Sequence, residues 1–147
     1  MKTGRYNVGV GLLMMAGFML YGFLLIYLRD FAPDHEAWAA SYASGKHFEA
    51  RLAHVHGALF SLLNLALGFV LAKLVTASER ARRAAAGLGI AGLLMPVGIL
   101  GEVYLGLPPV LVLLGAVAMT TAVALSGALA LRHWTEATAA MTDARRG

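Results

Sequence analysis

RLAHVHGALFSLLNLALG, residues 51–68, is the stretch that decides how this chain is read. Arg51, His54, His56, Ser61 and Asn64 are its only polar residues. A polar group in hydrocarbon costs several kcal/mol unless it finds a partner, and a charge costs about 2 to 3 kcal/mol on insertion scales. An apolar helix that keeps two histidines and an asparagine must therefore pack them against other helices, and the rest of the chain reads as the scaffold that does so.

Outward from this stretch, four apolar runs account for most of the 147 residues. They cover about residues 8–28, 52–75, 84–105 and 110–131, each near the roughly 20 residues that cross a bilayer. Only 14% of the residues are charged, well below the roughly 25% of a soluble domain. The expected fold is all-α: a four-helix transmembrane bundle, one integral membrane domain over residues 1–147 with no room for a soluble one. The first run is too long for a signal-peptide core and lacks a clean small-residue cleavage site, so it is read as a retained helix. There is no cysteine, which removes disulfides, thiolate metal sites and a cysteine nucleophile.

The basic residues flank the apolar runs, so the net charge of +4 describes topology and not nucleic-acid binding. Nine Lys or Arg lie on the side of the N-terminus, the 76–83 loop and the tail: Lys2, Arg5, Lys73, Arg80, Arg82, Arg83, Arg132, Arg145 and Arg146. The opposite side has three, Arg29, Lys46 and Arg51. Both termini are expected to be cytoplasmic, in a multi-pass protein of a bacterial-type inner membrane. His54, His56, Glu102 and Tyr104 then share the outer leaflet. The long loop 29–50 has the size of a lid, and Trp38 and Tyr42 point to a short interfacial helix within it. Tyr21 lies deep enough in the first span to require a hydrogen-bond partner. Pro96 is expected to kink the third span, and residues 132–147 have the composition of a disordered tail.

Helical spacing sorts the polar residues of the second span. Residues seven apart lie within about 20° of one another around a helix. His47, His54, Ser61 and Gly68 follow that spacing, flanked by Gly57 and Ala58. The stripe is small and polar, as a face turned to the bundle interior should be. His54 and His56 stand about 200° apart, so one helix cannot use both to chelate one metal. Glu102 is the sole acid inside a span, with His54, His56 and Arg51 as candidate partners. It either ties helices together or, without a cationic partner, can carry a proton. A zinc site would need histidines on one face, and a Ser61 nucleophile would need an elbow motif that is absent. A haem needs one axial histidine, an apolar slot and small neighbours, which His54 or His56 with Gly57, Ala58 and Ser61 would supply.

Ala53-His54-Val55-His56-Gly57, Asn64 and Val103-Tyr104-Leu105, in a chain of four short-looped spans, resemble the corresponding elements of the membrane-bound styrene oxide isomerases. That resemblance implies a homotrimer holding ferric haem b between subunits. It makes His54 the axial metal ligand, with the iron acting as a Lewis acid on an epoxide oxygen. Asn64 and Tyr104 would position the apolar substrate while a hydride shift gives an aldehyde. The chain departs from the family in the longer His-to-Asn spacing, in Glu102 and in the second candidate ligand, His56. The reading of a different class is a non-enzymatic, homo-oligomeric helical protein in membrane lipid, whose buried His, Glu and Asn serve as interhelical bonds or proton-relay groups.

Overall fold

The computed structural model describes residues 3–143, with side chains over residues 3–133. It is a bundle of helices: α1 (Arg5–Asp30), α2 (His35–Ala40), α3 (Gly45–Lys73), α4 (Glu79–Gly92), α5 (Leu94–Leu105) and α6 (Val110–Asp143). Four helical stretches are long and apolar enough to cross a membrane, as a multi-pass membrane protein requires, with α4 and α5 together making the third. Large apolar side chains on their outer faces, such as Leu13, Leu20, Phe23, Leu113 and Val117, are exposed. Lipid, not water, is the solvent that suits such a surface.

α3 is the central element and touches every other helix. α1 leans almost entirely on α3, while α4 and α5 pack against α6. The main core gathers Phe60 and Leu67 of α3, Leu93, and Met119 and Ala122 of α6.

The third span is broken at Leu93 and not at Pro96. Proline lacks an N–H and its ring clashes with the carbonyl four residues back, so the break falls in the preceding turn. Pro96 thereby occupies the first turn of α5, where its missing donor costs nothing. At the other end of α5, Gly106 takes a left-handed φ of 66°. The Gly106 and Leu107 N–H groups then donate to the carbonyls of Glu102 and Gly101, which closes the helix.

Two segments expected as loops are helical. The 76–83 loop shrinks because Ser78 caps α4, its hydroxyl accepting from Ala81 N–H at 3.3 Å, with Glu79 in the first turn. The tail extends α6 to Asp143, through an Ala-rich run of good helix formers. Residues 144–147, with Arg145 and Arg146, and Lys2 at the other end lie outside the described residues.

Arg82, expected as a loop cation, is buried. Its Nε donates to the Leu71 carbonyl at 3.0 Å, satisfying an open carbonyl in the last turn of α3, and its Nη1 donates to Glu79 at 3.1 Å. Arg82→Ala should lower stability by about 1 to 3 kcal/mol, since it strips a charged donor from a buried acceptor. Chemical unfolding in mixed micelles measures this, and an unchanged midpoint would refute it.

Candidate functional site

The small-residue stripe of α3 is the docking face for α1. Gly57 lies under the Phe18 ring, and the Ser61 carbonyl and Gly11 meet so closely that a Cβ on Gly11 would come within 2.8 Å of it. Gly68 faces Gly4 and Val8. Small residues here let the two backbones approach, as membrane helices without a hydrophobic drive require. Ser61 is fully buried and its hydroxyl donates back to the Gly57 carbonyl at 2.6 Å. Gly57 and Ser61 are thus taken up by the α1–α3 seam, and neither they nor Ala58 line the cavity beside His54.

His54 closes the end of this seam nearer the loop between α1 and α3. Its Nδ1 lies 2.8 Å from the Phe18 carbonyl oxygen. A carbonyl only accepts, so Nδ1 carries a proton, and in the neutral ring Nε2 keeps its lone pair. The ring edge rests on Gly22, where a Cβ would come within 2.7 Å of His54 Cε1 and 3.3 Å of Nε2. Gly22 and His54 both line a cavity of about 430 Å³, together with Met19, Phe23, Leu25 and Ile26. Arg29 and Arg51 supply cations at its walls, beside Tyr42 and His47. Met19, Phe23 and Ile26 are exposed, so the cavity opens onto the exposed apolar surface of α1.

His56 points elsewhere, as the ~200° separation requires. Its Nδ1 donates to Leu52 of its own helix at 2.9 Å and its ring packs edge-on against Phe60. It is not among the residues lining the cavity beside His54.

Tyr104 meets Tyr21, hydroxyl to hydroxyl at 3.0 Å, and Tyr21 lies 6.4 Å from His54 ring to ring. The partner Tyr21 requires is therefore Tyr104, and α5 reaches the histidine through it. Tyr104→Phe should cost about 0.5 to 1.5 kcal/mol by leaving the half-buried Tyr21 hydroxyl unmatched. Thermal unfolding in detergent gives the value, and a variant as stable as the parent would show the pair to be idle.

Glu102 is partly buried, and its Oε1 has no hydrogen-bond partner among the described residues. Its three candidate partners are engaged elsewhere. Arg51 donates to the Tyr42 carbonyl at 3.2 Å and lies over the Tyr42 ring, while each histidine holds a backbone carbonyl.

Asn64 does not join His54. Ten residues further along α3 place it about 15 Å away along the axis. It is fully buried, accepting from Asn7 at 3.0 Å and donating to the carbonyls of Phe60 at 3.0 Å and Gly89 at 2.8 Å. Asn7 in turn donates to the Ala86 carbonyl at 2.8 Å. These bonds tie α1, α3 and α4 together at the end of the bundle opposite His54.

The loop after α1 folds over the His54 end of the bundle. Trp38 of α2 stacks on His47 at 4.9 Å, and His47 Nδ1 donates to the Trp38 carbonyl at 2.9 Å. His47 and Tyr42 form one wall of the His54 cavity. Among the residues that sequence reasoning left out of the site are Phe18, Tyr21, Gly22, Arg29, Tyr42 and, at the far end, Asn7. A histidine stripe facing a helix with Gly at matching depth was the available signal for Gly22. Among the described residues no three His, Asp or Glu side chains gather to hold an ion. Compared with protein-family models, with characterised proteins and with solved structures, the chain finds no match.

Proposed function

We propose that the protein is a haem b-binding integral membrane protein in which His54 is the iron ligand. One observation carries this: His54 donates its Nδ1–H to the Phe18 carbonyl, so the neutral ring offers Nε2 as the ligating atom, beside Gly22 in the cavity that His54 lines. Ligating histidines characteristically donate their other nitrogen to a carbonyl or carboxylate, which orients the ring. Gly22 is a cradle that any side chain would fill. Arg51 is a cation suited to a carboxylate at the rim of a macrocycle, whereas Arg29 already holds Asp30 at 2.7 Å. The donor set fits a cofactor that asks the protein for a single axial nitrogen.

When bound, ferric haem supplies a Lewis acid, and an apolar epoxide entering from the lipid is the substrate class the surroundings suit. In that reading Tyr21 and Tyr104 form the hydrogen-bonding pair next to the ligand, and Glu102, whose buried Oε1 has no partner among the described residues, is the acid of the same helix as Tyr104. Asn64 acts by holding the helices and not by touching substrate. The exposed apolar face of α1 leaves room for a homo-oligomer, a trimer in the resembling family, with both termini cytoplasmic in a bacterial-type inner membrane. The second reading, interhelical bonding without catalysis, is favoured at Ser61 and Asn64, whose polar groups are satisfied inside the bundle.

The deciding experiment is an absorption spectrum of detergent-purified protein produced with haem precursor supplied. A Soret band at one haem per chain supports the proposal. Folded protein without a band rejects it.

A further inference from the structure

A second cavity, about 400 Å³, lies at the opposite end of the bundle, in the groove where α1 and α4 begin. Ala86, Gly87 and Ile90 make an apolar floor, and Arg5 and Arg83 stand at its mouth. The charges there do not balance. Glu79 accepts from Arg82 at 3.1 Å, Arg83 at 2.9 Å and Thr3 at 2.6 Å. Arg5 donates to the Tyr6 hydroxyl at 2.7 Å and makes no ion pair among the described residues. One carboxylate therefore stands against three guanidiniums. The positive ends of both helices converge on the same place. α1 has neither a side-chain cap nor an acidic residue in its first turn.

A separate observation points to a ligand. Asn7 is fully buried and lines the groove. Its Nδ2 donates to Asn64 Oδ1 and to the Ala86 carbonyl, which fixes the amide orientation. Oδ1 is left buried with no donor among the described residues. A native structure rarely leaves such an acceptor unmatched.

We infer that this groove binds an anionic glycerophospholipid of the surrounding bilayer. Its phosphate sits between Arg5 and Arg83, and an acyl chain runs along Ala86, Gly87 and Ile90. Basic pockets between membrane helices are suited to anionic head groups, and the apolar floor has no use for a free phosphate.

The test is native mass spectrometry of the full-length protein in detergent, titrated with phosphatidylglycerol, phosphatidylcholine and inorganic phosphate. Phosphatidylglycerol should bind well ahead of phosphatidylcholine. Each arginine beside a phosphate is worth about fivefold, so Arg5→Gln with Arg83→Gln should weaken binding roughly thirtyfold. Gly87→Leu is the second variant, because a Cβ there meets nothing within 4 Å and the side chain enters the open groove. It should lower lipid occupancy while the unfolding temperature stays at or above that of the parent. Equal binding of the two lipids overturns the inference. So does unchanged affinity in both variants, or displacement of the lipid by millimolar inorganic phosphate.

Discussion

His54→Ala should abolish the Soret band of the purified protein, whereas His56→Ala should leave it in place. The asymmetry follows from where each ring points. His54 has its Nδ1 proton on the Phe18 carbonyl and lines the cavity with Gly22. His56 is bonded to Leu52 of its own helix and packed on Phe60. Replacing His54 would remove the nitrogen that the proposed haem requires, and no other described histidine lines the same cavity except His47. That ring is clamped between Trp38 and Tyr42 at 4.9 and 5.4 Å. Added imidazole should restore the band in His54→Ala, since it supplies the missing nitrogen to an intact pocket. Gly22→Leu should act like the alanine variant by covering Nε2 while the histidine remains. A band that survives both His54→Ala and Gly22→Leu would remove His54 from the site.

The second large effect is on stability. Asn64→Leu should destabilise the bundle by about 2 to 4 kcal/mol. The change strands the Gly89 carbonyl and half of the Asn7 amide in an interior without water, and each unsatisfied buried group costs about 1 to 3 kcal/mol. Interhelical hydrogen bonds in membranes average only about 0.6 kcal/mol, so most of the loss comes from the stranded groups and not from the bonds themselves. Leucine also adds branching next to Gly11 and Gly89, two glycines chosen by the lack of space around Asn64. The loss should appear equally with and without haem, read by unfolding in mixed micelles. A variant of parental stability that loses turnover on an epoxide would instead make Asn64 a substrate-positioning residue.

How far the sequence foretold this arrangement depends on the kind of signal. The four spans were legible because hydrocarbon imposes one length and one composition on every crossing. The α3 stripe was legible because helical spacing places His54, Ser61 and Gly68 on one side. Spacing says nothing of what covers that side, so Gly57 and Ser61 read as an open slot although Phe18 and α1 fill it. Asn64 matched a motif by residue type, yet its partner Asn7 is 57 positions away, just ahead of the first apolar run. Such pairing is a property of antiparallel docking, not of any local window. The break at Leu93 was foreshadowed by Pro96 and displaced from it by one turn, because proline disturbs the residues before it.

The distance between Asn7 and Asn64 along the chain also has a meaning in time. At a synthesis rate of roughly 5 to 20 residues per second, the 57 residues between them take about 3 to 11 seconds to make. Throughout that interval the first helix exists and its locking partner does not. Asn7 stands only two residues after the start of the helix, where water at the membrane boundary can serve it meanwhile. A nascent α1 can therefore wait at the bilayer edge with its amide solvated and sink into place when α3 arrives to replace that water.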